Sequence, residues 1–491
     1  MAPLEGPLMK FSTKLLFSLV ATLITAHAFA QSIARFEMMV YLKAQPNFAR
    51  INMVVDRTYR AKSIYADLVT NARQTQSAIW QVLQQRGYLY QSFYINNSIL
   101  VKNADAQLAS ELQRNPAVRK VSYNTPFRMK PIGNLREQTP PAINGVEQSL
   151  IAINADQVWA MNVQGQGIVV AGQDTGVQWD HPAIIRQYRG NSGRGVSHDY
   201  NWHDSIHKQT SRNTTNKCGY DSKVPCDDQG HGTHTLATVA GSDGANNKVG
   251  VAPAARWIAC RNMDAGVGTV ATYTECFQFF FAPYPFGGDP QKDGKPEYAP
   301  HVMNNSWGCT RSEGCTGDEF TEVLKVMYQA GIMVVASAGN EGSGCATIAD
   351  PPAIHSDLTF SVGATNNSMK IASFSSRGPS ALDKAIGPDI VAPGVNIRSA
   401  VPGNGYQSMS GTSMSGPHMV GVVALLWSAN KNYVGRIAET AEVLRKTAKP
   451  LTTGENCGGV AGTSIPNNTY GHGFVDALAA VKAAAGVTTR R

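Results

Sequence analysis

Cysteine is missing from the first 217 residues of this 491-residue chain, and all eight, from Cys218 to Cys457, lie beyond them. Whatever folds in the N-terminal part therefore depends on an apolar core without disulfides. Charge is scarce too. Only 16% of residues are charged against 43% hydrophobic, the balance of a globular protein and not of a disordered polar chain. The net charge of +8 is spread thinly. No basic block alternates with aromatics and no nucleic-acid-binding motif occurs, so the charge is read as solubility and a nucleic-acid partner is not expected. An uninterrupted run of about 20 apolar residues, which a membrane-spanning helix needs, is absent. So is an uninterrupted carboxylate loop of the EF-hand type.

What is present begins with a leader. Lys10 and Lys14 precede an apolar stretch at 15–24 and the triplet Ala28-Phe29-Ala30. That is the pattern of a secretory signal peptide (1–30) cut after Ala30. The mature protein is then expected to be secreted, extracellular or periplasmic, with no membrane partner once the leader is gone. In an oxidising compartment eight cysteines suggest disulfides, although many connectivities are possible. Cys218 with Cys226 and Cys309 with Cys315 are near enough in sequence to close small loops. Cys260, Cys276, Cys345 and Cys457 stay unassigned.

Residues 31–130 read as a small domain of their own. An apolar strand, Phe36–Leu42, precedes a long amphipathic helix with Tyr65, Leu68, Val69, Ala72, Ile79, Val82 and Leu83 on one face. Strands at 88–95 and 98–101 flank an Asn96-Asn97 turn. A second helix, capped by Asn103 and turning Leu108 and Leu112 inward, stops before Pro116, and Val118–Tyr123 forms the last strand. The order βαββαβ predicts a ferredoxin-like α+β fold. Residues 131–147, with Pro140-Pro141 and Asn144-Gly145, read as a linker. From 148 to 491, short buried-type strands (167–172, 257–260, 302–306, 332–337, 359–362) alternate with helices such as 271–281 and 320–330. This predicts an α/β domain, a parallel sheet covered by helices on both faces. Active sites on such sheets lie at the carboxyl ends of the strands.

Three motifs fall at such ends. Gly411-Thr412-Ser413-Met414-Ser415-Gly416-Pro417-His418 opens an apolar run to Trp427. A helix buried on all sides is expected to begin at Ser413, with Pro417 in its first turn. That seats a serine at the positive end of a central helix. The strand at 167–172 leads into Asp174-Thr175-Gly176, and Gly230-His231-Gly232-Thr233-His234 opens another helix. Brought together by folding, an aspartate, a histidine and a serine make an activated nucleophile. Taken singly, each has a plainer reading as a turn or cap residue.

Other readings compete. Cys218, Cys226, His231 and His234 are four zinc-ligating residue types, but C-x7-C-x4-H-x2-H is not a zinc-finger spacing. A serine esterase would carry a Gly-x-Ser-x-Gly elbow, which is absent around Ser413. A catalytically inactive, secreted binding protein on the same scaffold is set apart by failure of Ser413 to react with a fluorophosphonate.

From about 148 to 486 the chain resembles the subtilases, the subtilisin-type serine proteases. The resemblance is carried, in that family's order, by Asp174-Thr175-Gly176 with His181-Pro182, His231-Gly232-Thr233-His234, Gly250-Val251-Ala252-Pro253, Asn305-Ser306-Trp307-Gly308, Ala338-Gly339-Asn340-Glu341-Gly342 and the Ser413 motif. The insert at 282–300 and the cysteine-bearing loops are similar to the bacillopeptidase F-like branch. The resemblance implies a serine endopeptidase acting on polypeptides, with Asp174, His231 and Ser413 as the triad and Asn340 as oxyanion donor. It implies that Ser306, Trp307 and Gly308 support the substrate backbone, and that Ala336, Ser337, Ala338 and Gly339 wall the P1 pocket. Glu341 and Asp350 would bring negative charge there and favour basic residues. His181, His355 and His418 are read as structural. No cofactor is required for the chemistry; structural calcium is implied by the family alone. Residues 31–130 would be an inhibitory propeptide whose tail adds to a strand such as 305–308, with self-cleavage between Asn124 and Gln148.

Overall fold

A computed structural model describes Met1 and residues 34–48, 56–129, 145–210, 216–310 and 315–486. The expected leader beyond Met1 and most of the expected linker lie outside the described residues. The N-terminal domain consists of β1 (Phe36–Leu42), α1 (Arg57–Gln85), β2 (Tyr90–Phe93), β3 (Ser98–Ala104), α2 (Ala106–Arg114) and β4 (Val118–Tyr123), in the βαββαβ order. Its sheet runs β2-β3-β1-β4, antiparallel at each pairing. Side chains along β1 alternate. Met38, Val40 and Leu42 join Ile79, Leu83, Leu108 and Leu112 of the two helices. Met39 and Tyr41 face the other way, into a cluster that includes Phe277 and Phe280 of the second domain. Burial on both faces explains why this strand is a continuous apolar run.

Two local expectations are corrected. The cap of α2 is Asp105, whose side chain accepts from Leu108 N at 2.9 Å. Asn103 is drawn away, its Oδ1 accepting from Leu89 N across the hairpin at 2.6 Å. The strand before the Asn96-Asn97 turn ends at Phe93, because Tyr94 and Ile95 give their N–H groups to Gln278 Oε1 (2.8 and 3.4 Å) instead of to β3.

After β5 (Phe127–Arg128) come β6 (Val169–Asp174), β7 (Trp202–Asp204), α3 (His231–Ala240), β8 (Arg256–Arg261), β9 (Met263–Asp264), β10 (Val267–Gly268) and α4 (Val270–Phe281). Then follow β11 (Val302–Asn305), α5 (Thr321–Gln329), β12 (Met333–Ser337), β13 (Phe360–Thr365), β14 (Ile390–Pro393), β15 (Ile397–Val401), β16 (Gly405–Met409) and α6 (Thr412–Ala429). Seven strands in the order β14-β13-β12-β11-β6-β8-β7 pair in parallel. Alternation sorts their side chains to two faces: Val170, Val302 and Val335 pack with α3 and α6, whereas Ala171, Met303 and Val334 pack with α4 and α5. The sheet is thus covered on both sides, and the N-terminal domain docks on the α4 and α5 side.

Helix α6 is buried from Thr412 through Trp427. It starts one residue before Ser413, which places Pro417 beyond the first turn. Proline has no N–H for the Ser413 carbonyl one turn back. Ser306 Oγ supplies the missing donor at 3.0 Å.

The tail of the N-terminal domain is corrected as well. It pairs with β10, antiparallel, Arg128 opposite Val267 and Phe127 opposite Gly268, and Met129 N donates to Gly266 O at 2.8 Å. Residues 306–308 line the same cleft as Arg128 and Met129 of the tail. Cys218–Cys226 and Cys309–Cys315 are bonded, as are Cys260–Cys276 and Cys345–Cys457. Among the described residues no helix is long and apolar enough to cross a membrane.

Candidate active site

Asp174 ends β6 and His231 opens α3. They meet because two glycines let the helix start come down on the strand end. A Cβ on Gly232 would lie 2.1 Å from Gly176 O and 3.0 Å from Asp174 Cβ, and Gly176 holds the left-handed φ of +106°. His231 Nδ1 donates to both carboxylate oxygens of Asp174 (2.8 and 2.9 Å), and Thr175 N donates to Asp174 Oδ1 at 2.8 Å. With the proton fixed on Nδ1, Nε2 carries the lone pair of the neutral ring. That nitrogen is buried and makes no hydrogen bond among the described residues. Burial alone would lower the His231 pKa; the charge and hydrogen bond of Asp174, helped by the charge of Asp227, outweigh it and hold it above its ordinary value.

Ser413 is the second residue of α6, and its Oγ donates to Ser306 O at 3.3 Å. The Asp–His pair is therefore formed while the serine hydroxyl is turned to the neighbouring strand end. α3 and α6 pack against each other. Catalytic hydrogen bonds are often slack in a free enzyme and tighten with substrate. Asn340 Oδ1 accepts from Thr412 N and Thr412 Oγ1, both at 2.9 Å. The amide is thus tied by its oxygen to the start of α6, which leaves Nδ2 as its donating end.

One wall of the cleft is Ser306, Trp307 and Gly308; the other is Ser337, Ala338 and Gly339 with Asn340. Asp350 and Glu341 line it too, and Arg128 and Met129 of the tail lie within it. Ala336 is not part of the wall. Ala336 is fully buried, in a cluster with Ala338, Ile348, Ala353 and Ile354, and does not reach the cleft surface as Ala338 does. Asp227 is a site residue that the sequence reading missed, because its partners are chiefly backbone N–H groups that no motif records.

The zinc reading loses its ligands. Cys218 and Cys226 are bonded to each other. His231 is engaged with Asp174, and His234 Nε2 donates to the carbonyls of Ile397 and Gln407 (2.9 and 3.0 Å). Burial, with the neighbouring His231, lowers the His234 pKa to about 3. No group of three or more His, Cys, Asp or Glu placed to hold a metal ion gathers among the described residues. His181 holds Gly405 O (3.1 Å) and Ala183 N (3.0 Å), and His418 donates to Met414 O (2.7 Å). His181, His418 and His355 all have pKa values lowered by burial, as structural histidines do.

Residues 165–473 match the Subtilase family. The chain is 37% identical over 412 residues to bacillopeptidase F of Bacillus subtilis (strain 168), covering 80% of this chain and 26% of that protein. Over 257 residues, 52% of this chain, it is 32% identical to Subtilisin Savinase of Lederbergia lenta and to M-protease of Shouchella clausii (strain KSM-K16), covering 79% and 56% of them. It thus spans about a quarter of the length of bacillopeptidase F and about half that of M-protease. Asp174, His231, Asn340 and Ser413 all fall inside the matched segment, on the strand ends and helix starts of a parallel sheet. By match, by fold and by the order of those residues, the chain belongs to the subtilase family, in the bacillopeptidase F-like branch.

Proposed function

We propose that this chain is a secreted serine endopeptidase, made as a precursor that processes itself. The observation that carries the reading is the fixed imidazole: Asp174 holds Nδ1–H and leaves a buried Nε2 lone pair without a partner. Rotation of Ser413 Oγ from Ser306 O to that lone pair completes the triad. Oγ then attacks the scissile carbonyl as Nε2 takes its proton, and the carbonyl electrons move onto oxygen, met by Asn340 Nδ2 and the Ser413 N–H. Collapse breaks the C–N bond, Nε2 passes its proton to the leaving amine, and an acyl-serine remains. Water repeats the sequence, releasing the carboxylate and restoring Ser413. The chemistry asks for no cofactor.

A substrate would lie between β10 and residues 306–308, adding a strand through main-chain hydrogen bonds as the tail at 127–129 does. Residues 31–130 are accordingly proposed as an inhibitory propeptide. The signal-like start and the four disulfides support secretion. Asp350 and Glu341 along the P1 wall support a preference for lysine or arginine; a peptide-library profile without that preference would remove it. The experiment for the whole reading is N-terminal sequencing of the exported protein. Wild type should begin between Asn124 and Gln148, with Lys130-Pro131 spared because proline has no N–H on the leaving side. Ser413→Ala should retain residues 31–130. Normal maturation of Ser413→Ala in a host without other proteases would refute self-processing.

A further inference from the structure

Asp227 stands four residues before His231, in the loop that leads into α3. Its Oδ1 accepts from Thr175 Oγ1 (2.8 Å), Gln229 N (3.0 Å) and Gly230 N (2.7 Å). Its Oδ2 accepts from Thr233 N (2.9 Å) and Thr233 Oγ1 (2.6 Å). Thr175 follows Asp174 directly, and its hydroxyl also accepts from Gly232 N at 3.0 Å. Thr233 belongs to the same helical turn as His231, and its hydroxyl accepts from Gln178 N at 3.0 Å. One carboxylate therefore binds both carriers of the Asp–His pair.

We propose that Asp227 is a positioning residue of the triad: it locks the strand end bearing Asp174 to the helix start bearing His231 and adds its charge to the field at the imidazole. The inference rests on the triad reading above. Two further facts support it. A carboxylate is acceptor-only, and five donors converge on it; an asparagine would have to turn its NH2 toward donors on one side or the other. Among charges, Asp227 acts on His231 in the same sense as Asp174. Among the described residues, His234, itself beside His418, neighbours His231, and Asp228 neighbours Asp227. Asp228 is raised by burial to about 6 while Arg261 draws it down.

The test compares wild type, Asp227→Asn, Thr175→Val and Ser413→Ala in steady-state hydrolysis of a peptide amide across pH. Asp227→Asn should keep KM within about twofold and lower kcat about ten- to a hundredfold, as a misplaced catalytic group does. The acid limb of its kcat/KM profile should move down by about half a pH unit, since an anion near the imidazolium is gone. A purely structural defect would not move that limb. The downfield Nδ1–H proton resonance of His231, followed against pH with and without Asp227→Asn in the Ser413→Ala background, reads the imidazole itself and not Asp228. Thr175→Val removes the tie to Asp227, together with the one from Gly232 N, but keeps the charge, so kcat should fall with the limb unmoved. Wild-type kcat, limb and resonance midpoint in Asp227→Asn would overturn the proposal and leave the triad standing. Full activity of Ser413→Ala would instead sink the triad. Should Asp227→Asn fail to fold, Asp227→Glu decides, since it keeps the charge but displaces the five acceptor contacts: lowered kcat at unchanged KM with the limb unmoved supports the proposal, and wild-type kcat overturns it.

Discussion

Asn340 shows how a single side chain is oriented for the role proposed for it. Its oxygen is taken by Thr412 N and Oγ1, so only its nitrogen is left for an oxyanion. Asn340→Asp should keep the tie to α6 yet lose the donor, and Asn340→Ala should lose both. Each is expected to lower kcat about 100- to 1000-fold, the loss measured when one such donor is removed from a serine protease, with KM nearly unchanged; an unchanged kcat would take Asn340 out of the site. Ser306 does a different job. Its hydroxyl serves the Ser413 carbonyl that Pro417 leaves unpaired, so Ser306→Ala should cost about 1–3 kcal/mol of stability in denaturant melts, the usual penalty for an orphaned buried acceptor. Asp174, His231 and Ser413 stood out in the sequence as candidates because glycines punctuate the strand ends and helix starts that carry them. Asn103 was misread as a cap because Asp105, two residues on, suits the role equally and only the tertiary pull of Leu89 decides between them. Ala336 was misplaced because a motif marks a segment, whereas depth of burial decides which of its residues reach the cleft, and Ala336 is fully enclosed.

The elements most readily read were those with a period long enough to count. α1, α4 and α6 are long and apolar on the expected faces, β6, β8, β11 and β12 sit within two residues of expectation at each end, and β13 runs three residues past its expected end. β7 and β14, three and four residues long, carry too little pattern to be seen. Where the tail docks was not legible, since a two-residue ladder depends on which edge the fold leaves open, and here that edge is β10. Disulfides behave likewise. Short loops announced two of them; Cys260–Cys276 links β8 to α4, and Cys345–Cys457 closes a separation of 112 residues, which no spacing rule reaches. Peptide mapping without reduction should find all four pairs, and a free thiol at any of the eight positions would contradict the scheme. Replacing both Cys345 and Cys457 by serine should cost about 4–5 kcal/mol on a chain-entropy view, the largest loss among the four because its loop is the longest. A smaller loss there than for Cys309–Cys315 would contradict that account.

At the scale of the whole molecule, the N-terminal domain is seated on α4, on the segment at 282–300 and on the loop before α5. Tyr65 Oη donates to Pro290 O (2.9 Å), Arg73 Nη2 to Gln291 O (2.9 Å), and Lys120 pairs with Asp318 (2.6 Å). In the same seam Gln91 Nε2 donates to Glu275 Oε2 (2.7 Å), a carboxylate that also faces His203 Nε2 (2.7 Å) and His207 Nε2 (3.0 Å). The charge of Glu275, with hydrogen bonds to Glu275 and Asp221, overcomes burial and raises the His207 pKa to about 10. A folded-state pKa above the unfolded value of about 6.5 means stability that is fully present below pH 6.5 and lost as pH rises toward 10. Thermal melts of the Ser413→Ala precursor should therefore fall over that window, and His207→Gln should flatten part of the fall; parallel pH profiles would contradict the assignment. The central claim, that Ser413 is a nucleophile activated by His231 and Asp174, is tested most directly by treating the processed protein with a fluorophosphonate and mapping the adduct by mass spectrometry. The account predicts a single phosphonylated serine, Ser413, with labelling abolished by His231→Ala. An unlabelled Ser413 in protein that still cleaves peptides, or an adduct on another serine that accounts for the loss of activity, would contradict it.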